Sequence, residues 1–204
     1  MTRTADQWQA VLEACEVDSE TAATWAPVFA DTITDDTFSA GEADLIPFTA
    51  QMLVETGGLK KLSEDLNYSA ERLMVVWPHR FPTMGDALPF AHNPEALANK
   101  VYGGRMGNVN LGDGWKYRGR GIPMITGLDG YSALGDLMGQ DLVNNPELLE
   151  QPHFALEGGI HWWEKRIPDS VLGDTQKVSE LVNGGDIGLA DRVAMTKLVE
   201  EALA

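Results

Sequence analysis

The 204-residue chain carries 31 acidic against 15 basic residues, a formal net charge of -16, with 44% hydrophobic and 23% charged residues. That size and composition suit one globular domain with a sizeable core and exclude a disordered chain. The charge argues against nucleic acid as a partner, and no run approaches 18 uninterrupted apolar residues, so stable membrane insertion is not expected. The single Cys15 cannot form an internal disulfide and reads as a small buried hydrophobe. The start of the chain, Met1-Thr2-Arg3-Thr4-Ala5-Asp6-Gln7, lacks the basic-then-apolar layout of a signal peptide.

Hydrophobic periodicity predicts about nine helical segments. The first begins at 8–12 and the second covers 21–29. A third, 44–56, presents Glu55 at its C-terminal end before Gly57 stops it. Ser69 caps a helix running through Trp77 to Pro78, and Asn93-Pro94 opens another that stops near Gly103. Between 103 and 121 the helical period vanishes and glycine is dense, which predicts a loop or small-sheet lobe. Helices at 129–139, 145–163, 174–182 and 191–203 complete the chain. The expected fold class is therefore mainly α, and no linker, repeat or separate wall-binding module interrupts it. His79, His92, His153 and His161 have no zinc-type spacing, so neither metal nor cofactor is expected.

Glu55 and Glu64 bracket the Gly57-Gly58 turn. Nine helical residues would separate them by about 13 Å, whereas two carboxyls that split acid and base roles around a water need about 6.5–9.5 Å. The glycine pair can supply the reversal that brings them together. The acid must be protonated and the base ionised, so their settings must differ. Glu55 follows the apolar 48–54 run, a setting that favours a neutral carboxyl, whereas Glu64 sits among Lys60, Lys61, Ser63 and Asp65. The 100–120 stretch holds Lys100, Arg105, Lys116, Arg118 and Arg120 against Asp113 alone and is expected to face carboxylates. Trp115 and Tyr117, in the glycine-rich loop, are candidate sugar platforms, whereas Trp162-Trp163 reads as core.

The segments Val54-Glu55-Thr56-Gly57-Gly58-Leu59 and Glu64-Asp65-Leu66-Asn67-Tyr68-Ser69-Ala70 resemble the E-S/T-G-G and E-x-L-N-Y-S-A pattern of family 19 glycoside hydrolases, the chitinase and phage endolysin group. Later blocks follow in the same order: Val101-Tyr102-Gly103-Gly104-Arg105-Met106-Gly107-Asn108, then 113–121, then Val182-Asn183-Gly184-Gly185 with Asp191-Arg192. The resemblance spans about 48–192. It implies a lysozyme-like bilobal helical fold with a cleft between a larger and a smaller lobe. In that fold 1–204 would form one catalytic domain, with the Glu55 and Glu64 carboxyls facing each other across the cleft. Glu55 takes the place of the general acid, Glu64 that of the base, and Thr126 that of the hydroxyl holding the water. Asn183 matches the asparagine that bonds the sugar N-acetyl group, Tyr102 and Arg105 line the cleft, and Arg192 braces the site.

The chain departs from the family pattern at Val54, Met124, Leu128 and Gly130, where polar side chains are usual. Each loss removes a hydrogen bond worth about 0.5–1.5 kcal/mol net. The expected activity is hydrolysis of β-1,4 bonds between N-acetylated sugars with inversion, peptidoglycan being preferred because the L-N-Y-S-A and V-Y-G-G-R-x-G-N blocks resemble the bacterial and phage lysozyme-type branch. Chitinase is the alternative, and a catalytically inactive glycan-binding protein of the same fold a third. The resemblance implies a monomer made in the cytoplasm without a signal peptide, reaching the bacterial cell wall or periplasm through holin-type or secretion-system release.

Overall fold

The computed structural model describes residues 2–204, of which 61% of the structure is helical. Eleven α-helices run in chain order among these residues: α1 (Ala5–Ala14), α2 (Ser19–Thr32), α3 (Glu42–Thr56), α4 (Ala70–Val76), α5 (Met84–Ala87), α6 (Pro94–Tyr102), α7 (Asp113–Lys116), α8 (Leu128–Met138), α9 (Pro152–Arg166), α10 (Thr175–Asn183) and α11 (Leu189–Leu203). The mainly α class expected from periodicity is what the chain adopts. Among the described residues no helix is long and apolar enough to cross a membrane.

Most helix ends follow from local chemistry. The Ser69 hydroxyl accepts from the Arg72 amide, and the Asn93 side chain accepts from the Ala96 amide with Pro94 at the first helical position. Gly57, in the left-handed region at φ 59°, ends α3. One expectation is corrected, and a second, the loop or small sheet at 103–121, is decided in favour of the loop. Residues 145–163 are not one helix, because a 3-10 turn, Pro146–Glu150, ends at Gln151 and α9 begins afresh with Pro152 at its first position. Pro152 has no N–H for an interior turn and disfavours the helical conformation in the residue before it. The 103–121 stretch forms no sheet; its extended pairing is limited to isolated bridges from Arg120 to Ser63 and to Ile125, and it contains the short α7.

The chain divides into two compact units. One comprises the described residues through Leu62, Gly121–Pro123 and Glu147–Ala204, and so holds α1–α3 and α9–α11. Its core is aromatic: Trp8 packs on Phe29 at 5.0 Å, and Phe48 lies between Phe38 at 5.0 Å and the edge of Trp163 at 5.6 Å. The Trp163 indole N–H donates to buried Asp44 at 2.7 Å, so Trp163 is core as its sequence setting implies. Cys15 is also buried, and burial followed by the neighbouring Glu16 charge pushes its thiol up to about 11. Helix α3 is enclosed along most of its length and packs on α10 and α11, which places Glu55 at the emerging end of a rigid rod.

The second unit comprises Ser63–Arg120 and Met124–Pro146 and holds α4–α8. Leu66, Leu73, Phe81, Leu97 and Val101 form its core, with Trp77 and Phe90 packed around them. A second cluster centres on Tyr131, whose hydroxyl donates to the Arg118 carbonyl at 2.7 Å and lies 3.0 Å from an Arg120 guanidinium nitrogen. Close backbone packing joins the 103–112 loop to the start of α8. A Cβ on Gly127, at φ 83°, would stand 2.4 Å from the Met106 Cβ, so only glycine fits there.

Candidate active site

In the first unit the last two turns of α3 carry Gln51 and Glu55, four residues apart and so on one helical face. Arg192, in the first turn of α11, donates through one terminal nitrogen to Glu55 Oε1 and through the other to Gln51 Oε1, while its Nε bonds the Ile187 carbonyl at 3.3 Å. Arg192 is 5% exposed and the Glu55 side chain 21%. The guanidinium is thus fixed from three directions, and Glu55 keeps its Oε2 free. The expectation of a simply apolar setting for Glu55 is corrected by this ion pair. The turn after Glu55 is tied by Thr56, whose buried hydroxyl donates to the Met52 carbonyl at 2.7 Å and accepts from the Leu59 amide at 2.8 Å.

Asn183 ends α10 in the same unit. Its Nδ2 donates to the Ile187 carbonyl at 2.9 Å, and its Oδ1 accepts from the Gly185 amide at 2.8 Å. Asn183 and Arg192 therefore share one carbonyl and fix the 183–188 connection together. The amide retains one N–H and one lone pair for a ligand.

Glu64 lies in the second unit and is clamped to one residue twice. Its backbone amide donates to the Gly119 carbonyl at 3.0 Å, and its Oε1 accepts from the Gly119 amide at 2.6 Å. The Tyr102 hydroxyl donates to Oε2 at 2.7 Å. Burial, then the Glu64 charge and this bond, hold the Tyr102 phenol well above its ordinary value, so it remains a donor at any physiological pH. Both Glu64 oxygens accept, and each retains a lone pair.

Gly119 leaves little spare space beside this clamp. A Cβ there would stand 3.4 Å from Glu64 Cδ and Oε1 and 3.3 Å from Met124 Cβ. Gly119→Ala is expected to displace the carboxylate by a few tenths of an ångström and lower kcat roughly 3–30-fold, with a melting curve close to wild type. Steady-state kinetics beside thermal unfolding check it.

The remaining candidates are placed less uniformly. The Thr126 hydroxyl reaches only the Met124 carbonyl, at 3.4 Å, and keeps its lone pairs. Arg105 is exposed and donates to the Val101 carbonyl at 3.2 Å. Trp115 is half-buried, with the Arg118 guanidinium 4.0 Å above its ring, and packs against the core of this unit. Tyr117 is corrected: it is 3% exposed, packs on Tyr131 at 5.4 Å and donates to the Val143 carbonyl at 3.0 Å, so no ring face is open to sugar. The structure thus gathers Glu55, Asn183 and Arg192 in one unit and Glu64 and Tyr102 in the other.

Over 147 residues the chain is 35% identical to a protein of Haemophilus influenzae (strain ATCC 51907 / DSM 11121 / KW20 / Rd) described as a glycosyl hydrolase family 19 domain-containing protein, a match covering 71% of this chain and 72% of that one. The chain belongs to glycosyl hydrolase family 19. No family model matches it. Crystal structures of chitinase C share the fold at 17% identity: a Glu-to-Gln mutant with a TM-score of 0.57, covering 99% of this chain and 92% of that chain, and the enzyme from Streptomyces griseus HUT6037 with 0.56, covering 98% and 91%. This family 19 protein is accordingly a glycosidase of chitinase-like type with the mainly helical chitinase/lysozyme-like fold.

Three residues around the two candidate carboxylates were not predicted from the sequence. Gln51 had a signal, being the polar residue one helical turn before Glu55 in the apolar run from Phe48 to Val54. Gly119 lay in a Gly-Arg-Gly triplet that offered no role. Ser179 gave no signal at all, because a serine within a polar helix is ordinary.

Proposed function

We propose that this family 19 enzyme degrades peptidoglycan by inverting hydrolysis of β-1,4 bonds between N-acetylated sugars, with Glu55 as general acid and Glu64 as general base. The observation that carries the reading is that each carboxylate is held by its own donors and still keeps a free position. Arg192 binds Glu55 Oε1 and leaves Oε2 to carry the proton delivered to the leaving oxygen. Gly119 and Tyr102 fix Glu64, whose remaining lone pairs take the proton of a water. That water attacks the anomeric carbon on the face opposite the leaving oxygen, the glycosidic bond breaks as the new C–O bond forms, and no covalent enzyme intermediate arises. Thr126 orients the water, the spare Asn183 N–H bonds the N-acetyl carbonyl, and Tyr102, Arg105 and Trp115 line the substrate path.

Residues 1–204 act in this reading as one monomeric catalytic domain at the bacterial wall, reached by holin-type or secretion-system release. The lysozyme-type form of the L-N-Y-S-A and V-Y-G-G-R-x-G-N blocks favours peptidoglycan. The chitinase C neighbours favour chitin as the second reading. Incubation with purified peptidoglycan and, separately, with chitin oligomers discriminates them through the reducing sugar released. New N-acetylated reducing ends from peptidoglycan, with slower cleavage of chitin oligomers, are expected. Cleavage of chitin oligomers alone makes the protein a chitinase, and binding without cleavage of either makes it a glycan-binding relative.

A further inference from the structure

Among the described residues Arg192 is the only cation bonded to Glu55, and the Gln51 that helps orient Arg192 is itself buried. Gln51 and Ser179 are both fully enclosed, at 0% exposure, on α3 and α10. The Ser179 hydroxyl donates to the Thr175 carbonyl at 2.6 Å, so its proton is committed and its oxygen accepts from Gln51 Nε2 at 3.3 Å. That contact decides which way the Gln51 amide points: the NH₂ end faces Ser179 and the carbonyl end faces the guanidinium. The reverse orientation would set donor against donor at Arg192 and leave Ser179 facing a carbonyl with no proton to offer.

We propose that Gln51 and Ser179 are positioning residues for Glu55, a directional relay from the Thr175 carbonyl through the hydroxyl and the amide to Arg192 that sets where Glu55 Oε2 points. It rests on the assignment of Glu55 as the acid. Gln51 contributes a neutral acceptor, so the guanidinium is fixed without a second carboxylate competing for its charge. Ser179 makes that acceptor face inward. Water cannot substitute in this closed pocket, so orientation is lost when either group is changed.

The test uses whichever of peptidoglycan or chitin oligomers the wild type hydrolyses, with Glu55→Gln as control. Gln51→Glu keeps shape and places a competing carboxylate on Arg192. It is expected to lower kcat about 10²-fold, the scale of loss from a misplaced reacting group, with KM within roughly threefold. Ser179→Ala removes one neutral hydrogen bond and is expected to lower kcat roughly 2–10-fold, and Ser179→Thr to restore it. Wild-type kcat in Gln51→Glu and Ser179→Ala, or a loss confined to KM, while Glu55→Gln is inactive, overturns the relay alone. An active Glu55→Gln overturns the reading beneath it. Both test substitutions are nearly isosteric, so a variant without wild-type circular dichroism also counts against the proposal, making the relay a requirement of the fold instead of a device for Glu55.

Discussion

Glu55→Gln is expected to lower the hydrolysis rate by about 10²–10⁴-fold, the worth of a positioned proton donor. The substitution keeps the shape, and the new amide oxygen can still accept from Arg192, so fold and substrate binding should survive. Only the donatable proton is gone, and the leaving oxygen must depart without it. Glu64→Gln should cost a similar factor for the opposite reason, since no group remains to deprotonate the water. The Gly119 amide and the Tyr102 hydroxyl can still bond the amide oxygen in turn, but its NH₂ end must then face one of these donors. A small anion such as azide, attacking in place of activated water, should restore part of the activity at position 64 and none at position 55. Steady-state rates of the two single variants and the double variant, with circular dichroism as a control for folding, check this. Groups that serve one reaction are non-additive, so the double variant should lose little beyond either single one.

Arg192→Leu is expected to damage both stability and rate. It leaves Glu55 Oε1, Gln51 Oε1 and one bond to the Ile187 carbonyl without their donor, and of these three residues Gln51 is the one fully enclosed. Breaking a buried ion pair from one side costs about 3–5 kcal/mol; because Glu55 keeps some contact with water, about 2–4 kcal/mol is expected here. For a chain of this length that lowers Tm by roughly 5–15 °C. The rate should fall by at least about 10²-fold as the acid loses its fixed direction. Arg192→Lys should recover part of the stability but little of the rate. An ammonium is a point charge and cannot hold Gln51, Glu55 and Ile187 at fixed angles as a planar guanidinium does. Thermal unfolding and kcat measured on the same preparations separate the two effects.

The helical class and most helix ends were legible because they depend on local chemistry: Ser69, Asn93-Pro94 and Gly57 act within one turn of themselves. The break at Gln151-Pro152 was legible in principle, since proline signals a first turn more strongly than continuous apolar periodicity signals an unbroken helix. Tyr117 misled because a glycine-dense loop usually exposes its aromatics, whereas here the ring packs on Tyr131 and its hydroxyl bonds the distant Val143 carbonyl. The motif blocks single out Glu55 and Glu64 as candidates, but the partners of these carboxylates were not legible. Glu55 meets Arg192 across 137 positions and Glu64 meets Gly119 across 55. Pairings of that span are set by helix packing, and no spacing within a single sequence encodes them.

In the proposed function Glu55 and Glu64 carry out a single displacement by water. Its most direct measurement is the anomeric configuration of the first product, followed by proton NMR within minutes of mixing the enzyme with the β-linked oligosaccharide it cleaves. Inversion makes the α-anomer appear first and the β-anomer only later, by mutarotation. A β-anomer formed first would mean retention through a covalent or substrate-assisted intermediate, and would contradict the assignment of Glu64 as a base acting on water.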